Sequence, residues 1–357
     1  MADVSKLLYS RGGDAPSFLA SLELTAQDHI LLKDAQKKVR DRLRTTFATL
    51  TKAEIGMSVR PRFFTQGSYS YRTINGPAWT PPQQMDLDDG AYLPMTFVQG
   101  TQRPSVASAG FFKIVDNALI KLAQEESWQF KRKPTCARLV ISDSAHIDVP
   151  LYAIPDAEFK KLEEALVRKS VATFDARPRA LDRWDALPSD CVLLAHREDD
   201  WVSSDPRKIC DWFDSTTDIY GERFRRICRF LKAWRDHNRP HLDNVSSLLL
   251  MVCAWEAFED LGRPNVPVRD DLALLKVAER LPRLLEGPVW NPADPDSANR
   301  STLDWTTRVA NVPSIWLMRW IANSRRSSSG VSTQQSRSRG LSNSSAIAFH
   351  IDLILST

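Results

Sequence analysis

Residues 62–148 constrain the fold more than any other part of the chain. MDLDDGAYL (85–93) sets Asp86, Asp88 and Asp89 in a largely apolar run, and HIDVPLYAI (146–154) does the same with Asp148. Short runs rich in Val, Ile, Leu and Tyr read as strands. Residues i and i+2 of a strand share a face, so Asp86 and Asp88 point the same way, about 7 Å apart along the backbone. Two carboxylates held together are unfavourable without a cation between them. Ile147 and Val149 flank Asp148 and pack the face opposite to it. Three such acids on neighbouring strands make a set of hard oxygen donors suited to two Mg2+ or Mn2+ ions. Such a site can support in-line phosphoryl displacement.

VRPRFFTQ (59–66) reads as a strand that enters a turn at Gly67 and Ser68. Glycine permits a tight turn with close backbone approach. Successive backbone N–H groups there form a concavity for anions. The Ser68 hydroxyl and the Gln66 amide add donors. Taken singly these signals are weak. A Gly-Ser pair is common, and Asp86 to Asp89 alone reads equally as a solvated acidic hairpin. The order is what is specific: strand and Gly-Ser, strand and D-x-D, strand and Asp.

At 357 residues the chain has room for two domains or one bilobal unit with a substantial core. Its 43% hydrophobic and 26% charged residues are ordinary for a soluble protein. The longest apolar run, LLLMVCAW (248–255), falls well short of the ~20 residues of a membrane span. No apolar signal segment opens the chain. The five cysteines are odd in number and contain no C-x-x-C pair, which suits reduced thiols in the cytoplasm. The net charge of +4 comes from residues 319–357, where Arg319, Arg325, Arg326, Arg337 and Arg339 face Asp352 alone. The remainder is neutral, so no obligatory nucleic-acid partner is expected. His237 and His241 have ligand-like spacing but no cysteine pair beside them, and read as surface histidines rather than a zinc site.

Periodicity organises the rest. Leu31, Ala35, Val39, Leu43, Phe47 and Leu50 mark a helix over 27–50. Its other face, with Lys37, Lys38, Arg40, Arg42 and Arg44, reads as solvated, with a phosphate or ligand patch as the alternative. A helix is expected over 110–126, and two strands or one bent strand over 138–154. Ile219, Phe224, Ile227, Phe230, Leu231 and Trp234 predict one helix over 218–236, and helices follow over 244–262 and 270–286. The expected class is therefore α+β, with a mixed-sheet lobe (1–200) and a helical lobe (201–318). A tail (319–357) follows. Ten of the 22 residues in 324–345 are serine, a composition expected to be disordered.

QGSYSYRTIN (66–75), PPQQMDLDDGAYLPM (81–95), HIDVPLYAIP (146–155), SDPRKICDWF (204–213) and RFLKAWRD (229–236) together resemble the bacterial cGAS/DncV-like nucleotidyltransferases, of the polymerase β-like superfamily. The likeness runs over roughly residues 60–310 in the family's order, and the text after about Thr306 departs from it. It implies a bilobal polymerase β-like fold and a cytoplasmic enzyme that joins nucleoside triphosphates into a cyclic oligonucleotide. The expected substrates are ATP and GTP, with Mg2+ or Mn2+, release of pyrophosphate and cyclic GMP–AMP as product. The implied setting is CBASS-type antiphage defence, with a product-activated effector protein and accessory proteins. Conjugation through the C-terminus, known in the family, is in doubt for this tail.

By position, the resemblance makes Asp86, Asp88 and Asp148 the metal-binding catalytic residues, with Asp148 also helping to deprotonate the attacking ribose hydroxyl. Gln66, Gly67 and Ser68 would hold the donor triphosphate, joined by Lys232 and by Ser246 of NVSSLLL. Tyr71 would stack on a base, and Ser204 and Asp205 would read a base edge. Plainer readings stand beside these. Lys232 also reads as a snorkelling surface lysine, Tyr71 as core, and Ser204-Asp205-Pro206 as a helix N-cap. Nucleotide transfer to RNA, protein or a small molecule would use the same acids; nucleotide or RNA binding without catalysis arises on this fold when acids are lost, whereas all three are present here. The zinc insertion with which animal relatives sense DNA is not visible.

Overall fold

A computed structural model describes residues 5–10, 17–55, 59–78, 80, 82–95, 104–169, 187–188, 191–198, 201–238, 242, 245–286, 289 and 291–293. The serine-rich tail and His241 lie outside the described residues. In chain order the principal elements are helices α1 (Ser5–Leu8), α2 (Phe18–Ser21) and α3 (Ala26–Ile55), strand β1 (Arg62–Gln66), helix α4 (Gly67–Ser70), strand β2 (Met85–Pro94) and helix α5 (Pro104–Glu126). There follow β3 (Gln129–Arg132), β4 (Cys136–Ser142), β5 (Ala145–Ile154), α6 (Asp156–Lys169), β6 (Leu193–Leu194), β7 (Val202–Ser203), α7 (Pro206–Tyr220), α8 (Glu222–His237), α9 (Ser247–Leu261) and α10 (Asp270–Glu286).

The chain divides into two compact units. One comprises residues 26–71 and 84–210 and is built on a sheet. The strand order is β1-β2-β5-β4-β3, and only β2 and β5 run parallel. A parallel pair needs a crossover, supplied here by α5, β3 and β4. Past Pro150, β6 replaces β4 beside β5, with Tyr152 opposite Leu194, and β7 adds to β6. All ten residues of β5 are buried. Ile147, Val149, Leu151 and Ala153 form its apolar side, and α3 packs against the strand. The helix buries Leu32, Ala35, Val39, Leu43 and Phe47, so its stripe begins at Leu32 rather than Leu31.

The other unit comprises residues 1–25, 72–83 and 211–357. Among its described residues the regular elements are helical. The sequence placed residues 1–25 and 72–83 with the catalytic lobe, whereas their contacts group them with α8 to α10. Arg229 of α8 is the tie. Its guanidinium donates to Asn75 Oδ1 at 2.9 Å, Leu22 O at 2.9 Å and Glu23 Oε1 at 2.5 Å. The single helix expected over 218–236 is two helices. Gly221, at φ +77°, breaks the chain between α7 and α8, in a conformation that costs glycine little.

Candidate active site

Strand register brings the acids together. Asp88 of β2 pairs with Asp148 of β5, and Asp86 pairs with His146. Gln66 of β1 pairs with Asp88, and Arg138 of β4 pairs with Asp148. Paired residues project on one side of a sheet. Four strands therefore line up Gln66, Asp88, Asp148 and Arg138 in a row, with Asp86 and His146 beside it. Donor atoms of Asp86, His146 and Asp148 lie within 4.8 Å of one another, close enough to share a cation. The carboxylate oxygens of that set suit Mg2+ or Mn2+.

Each acid is held differently. Arg138 grips Asp148 with two parallel bonds, Nε to Oδ1 at 2.7 Å and Nη2 to Oδ2 at 2.6 Å. Burial works against the Arg138 charge, but the Asp148 carboxylate outweighs it and holds the guanidinium protonated. Asp86 Oδ1 lies 2.9 Å from His146 Nε2, and its side chain stays 43% exposed. Asp88 lies against Gly67. A Cβ at Gly67 would fall 2.0 Å from Asp88 Oδ2, and φ there is +68°. Both facts require glycine at this turn.

Ser68 is half-buried in the first turn of α4. Gln66 donates from Nε2 to the Tyr152 hydroxyl at 3.1 Å. Burial pushes the Tyr152 phenol far above its ordinary range, the Gln66 bond draws it partly back, and the Asp88 charge adds to the rise. Tyr152 stacks on Tyr92 at 4.6 Å between ring centroids. Gly90 makes room for that pair, since a Cβ there would meet Tyr152 Cε2 at 2.8 Å.

The remaining expected residues differ in their settings. Tyr71 is buried, in keeping with the core reading. Asp205 is also buried. It accepts the Arg207 backbone N–H and the Arg207 Nε, each at 2.9 Å. That is the helix-cap arrangement at the start of α7. Ser204 is half-buried beside it. In the helical unit, Lys232 is buried rather than snorkelling, with Nζ donating to Thr73 O at 2.7 Å. Ser246 caps α9, its Oγ accepting the Leu249 N–H at 3.1 Å, and is exposed.

The third acid of the D-x-D-D run faces away from the others. Asp89 is fully buried and is held by Arg40 Nε at 2.6 Å, Arg40 Nη2 at 2.5 Å, Gln36 Nε2 at 3.0 Å and Thr65 Oγ1 at 3.0 Å. This cluster fastens β2 to α3. It also answers the basic face of α3: Arg40 turns inward to Asp89, Lys38 pairs with Glu126, and Arg42 with Glu125. His146, Arg138, Gly90, Gln36 and the role of Arg40 as the partner of Asp89 were not singled out from sequence. The one available signal was that His146 stands two residues before Asp148, on the same side of the strand.

Comparison with known proteins agrees with this arrangement. The family model "Cyclic GMP-AMP synthase DncV-like, nucleotidyltransferase domain" matches residues 61–152. A second, "Cyclic GMP-AMP synthase, C-terminal domain", matches residues 221–329. The chain belongs to the bacterial cGAS/DncV-like nucleotidyltransferase family. Among its relatives, the cyclic GMP-AMP synthase of Vibrio cholerae is 34% identical over 252 residues, covering 67% of this chain and 56% of that protein. The chain thus spans little more than half the length of that relative. The crystal structure of Vibrio cholerae DncV cyclic AMP-GMP synthase, described as a prokaryotic cGAS homolog, has a TM-score of 0.70 at 26% identity and covers 92% of each chain. A structure of the same enzyme in complex with the linear intermediate 5′ pppA(3′,5′)pG has a TM-score of 0.65 at 27% identity, covering 85% of this chain and 88% of that one. Family membership and the α+β fold, a mixed sheet with a separate helical unit, are thereby as the motifs implied. Among the described residues no helix is long and apolar enough to cross a membrane.

Proposed function

We propose that the chain is a cyclic-dinucleotide synthase that joins ATP and GTP, with cyclic GMP–AMP as product. One observation carries the reading: Asp86, Asp88 and Asp148 stand on one side of two adjacent strands, with the Gly67 turn against Asp88. The choice of purines follows the relatives, which are cyclic GMP-AMP synthases.

Asp86, Asp88 and Asp148 would hold two Mg2+ or Mn2+ ions, which when bound neutralise phosphate charge and polarise the reacting oxygens. The chain's own residues do the positioning. Arg138 fixes both oxygens of Asp148, orienting the carboxylate toward the attacking ribose hydroxyl, whose proton it would draw off. The new bond joins that ribose oxygen to the α-phosphorus of the second nucleotide, and pyrophosphate leaves. Gln66, Gly67 and Ser68 present amide, backbone and hydroxyl donors for the donor triphosphate. Lys232 brings a cationic Nζ, anchored by its bond to Thr73 O. The Ser246 hydroxyl keeps its proton to donate while its oxygen caps α9. Both are proposed phosphate contacts. A second transfer of the same kind closes the ring.

The wider reading is a cytoplasmic enzyme of CBASS-type antiphage defence, whose product switches on an effector protein with the help of accessory proteins. The family assignment supports it. Ser204 is retained as a base-edge contact. The buried settings of Tyr71 and Asp205 favour the core and cap roles for those two.

The test is direct. Purified protein is incubated with four labelled nucleoside triphosphates and Mg2+ or Mn2+, treated with phosphatase, and the products are separated. A phosphatase-resistant product that needs both ATP and GTP, absent from Asp86→Ala/Asp88→Ala, is expected. Label attached instead to RNA, protein or a small acceptor would overturn the synthase reading.

A further inference from the structure

The reading above uses three carboxylates, yet a fourth donor faces the same place. His146 is 6% exposed and stands on β5 opposite Asp86. Its two ring nitrogens have different surroundings. Nδ1 lies 3.0 Å from Gln84 Oε1. The orientation of Gln84 is set independently, because its Nε2 donates to Ser142 O at 3.0 Å and Asp143 O at 3.2 Å in the β4–β5 hairpin. Gln84 therefore offers His146 only an acceptor, and Nδ1 carries the proton. In the neutral ring Nε2 is then a lone pair. It is buried, it makes no hydrogen bond, and it is 2.9 Å from Asp86 Oδ1 without hydrogen-bond alignment.

A lone pair set against a carboxylate oxygen is unfavourable unless something positive is shared between them. Metal-bound histidines characteristically show the other half of this pattern, with the distal N–H donated to an oxygen that fixes the tautomer and aims the ring. His146 also belongs to the set whose donor atoms, with those of Asp86 and Asp148, lie within 4.8 Å of one another, and Nε2 is the nitrogen beside Asp86. We infer that His146 Nε2 is a direct ligand of the metal held by Asp86 and Asp148, with Gln84 as the residue that orients it. This rests on the metal-binding role proposed for those acids. It has a chemical consequence: imidazole suits Mn2+ better than Mg2+, which prefers oxygen donors. The site should then favour Mn2+ more than an all-carboxylate site would.

The test uses the full chain with Mn2+ and inorganic triphosphate in place of nucleotide, in a nitrogen-free buffer, so that no base or buffer nitrogen is present. Pulsed electron paramagnetic resonance then reads nitrogen nuclei coupled to the bound Mn2+. The expected result is a nitrogen modulation that changes from the 14N to the 15N pattern when histidine alone is 15N-labelled. It should vanish in His146→Gln, with Mn2+ affinity lowered on the order of tenfold. Bound Mn2+ without a histidine nitrogen in the wild type overturns the assignment while leaving the carboxylate site intact. A histidine signal that survives in His146→Gln overturns it as well. Failure to bind any Mn2+ overturns both this inference and the metal reading beneath it. The labelled wild type gives its answer even if the glutamine variant fails to fold.

Discussion

Gly67→Ala separates the backbone cost of a turn from its chemical purpose. Two penalties meet at this position. The backbone is left-handed, at φ +68°, which costs an alanine about 1–2 kcal/mol. For a unit of 150–250 residues that lowers Tm by roughly 2–8 °C. The new methyl carbon would also lie 2.0 Å from Asp88 Oδ2 and 3.0 Å from Asp88 Cγ. The carboxylate is the free end of a side chain, so the fold can yield by turning it aside, by about 1 Å or more. A displacement of that size in a reacting constellation costs roughly 100-fold in rate. Gly221 supplies the control. It has the same kind of backbone, φ +77°, but nothing within 4 Å of an added Cβ. Gly221→Ala should lose a similar few degrees of Tm and keep its turnover. Thermal unfolding and initial rates of pyrophosphate release on the two variants decide the matter. Equal rates in both, or a Gly67→Ala enzyme within a few-fold of wild type, would refute the view that this glycine serves Asp88.

Three further outcomes are expected. Asp89→Ala should destabilise the protein by roughly 3–5 kcal/mol, because it leaves Arg40 facing a buried gap, whereas Asp86→Ala should leave Tm close to wild type while abolishing activity; urea unfolding of the pair checks this. Arg138→Lys should lower kcat at least tenfold with a folded protein, since an ammonium cannot reproduce the two parallel bonds to Asp148, and steady-state kinetics beside circular dichroism would reveal a mere folding defect. Burial pushes the thiols of Cys136, Cys228 and Cys253 far above their ordinary range, so at pH 8 they hold almost no thiolate; titration with a disulfide reagent should find Cys191 the fastest native thiol and all five only after denaturation.

The parts of the site legible in sequence are those set by neighbours in the chain. Alternation placed Asp86 and Asp88 on one side of a strand, and Ile147 and Val149 placed Asp148. A glycine before Ser68 announced the turn. What escaped depends on partners far along the chain. Asp89 looks like its neighbours in the text, and only Arg40, 49 residues away, makes it a structural anchor. Arg138 becomes part of the site through strand register alone. His146 needs Gln84, 62 residues earlier, before its tautomer has a meaning. The break at Gly221 was within reach, since a glycine in a helical run is a natural end point; the apolar periodicity on either side masked it.

The Arg229 tie has a consequence for biosynthesis. Glu23 leaves the ribosome 206 residues before Arg229, so at 5–20 residues per second it waits roughly 10–40 s for its partner. The first helices therefore emerge with no surface yet made for them, while the sheet unit between can complete itself. A chaperone that binds this protein during translation would be expected to hold residues near Phe18 and Leu22, and to release them once α8 has emerged.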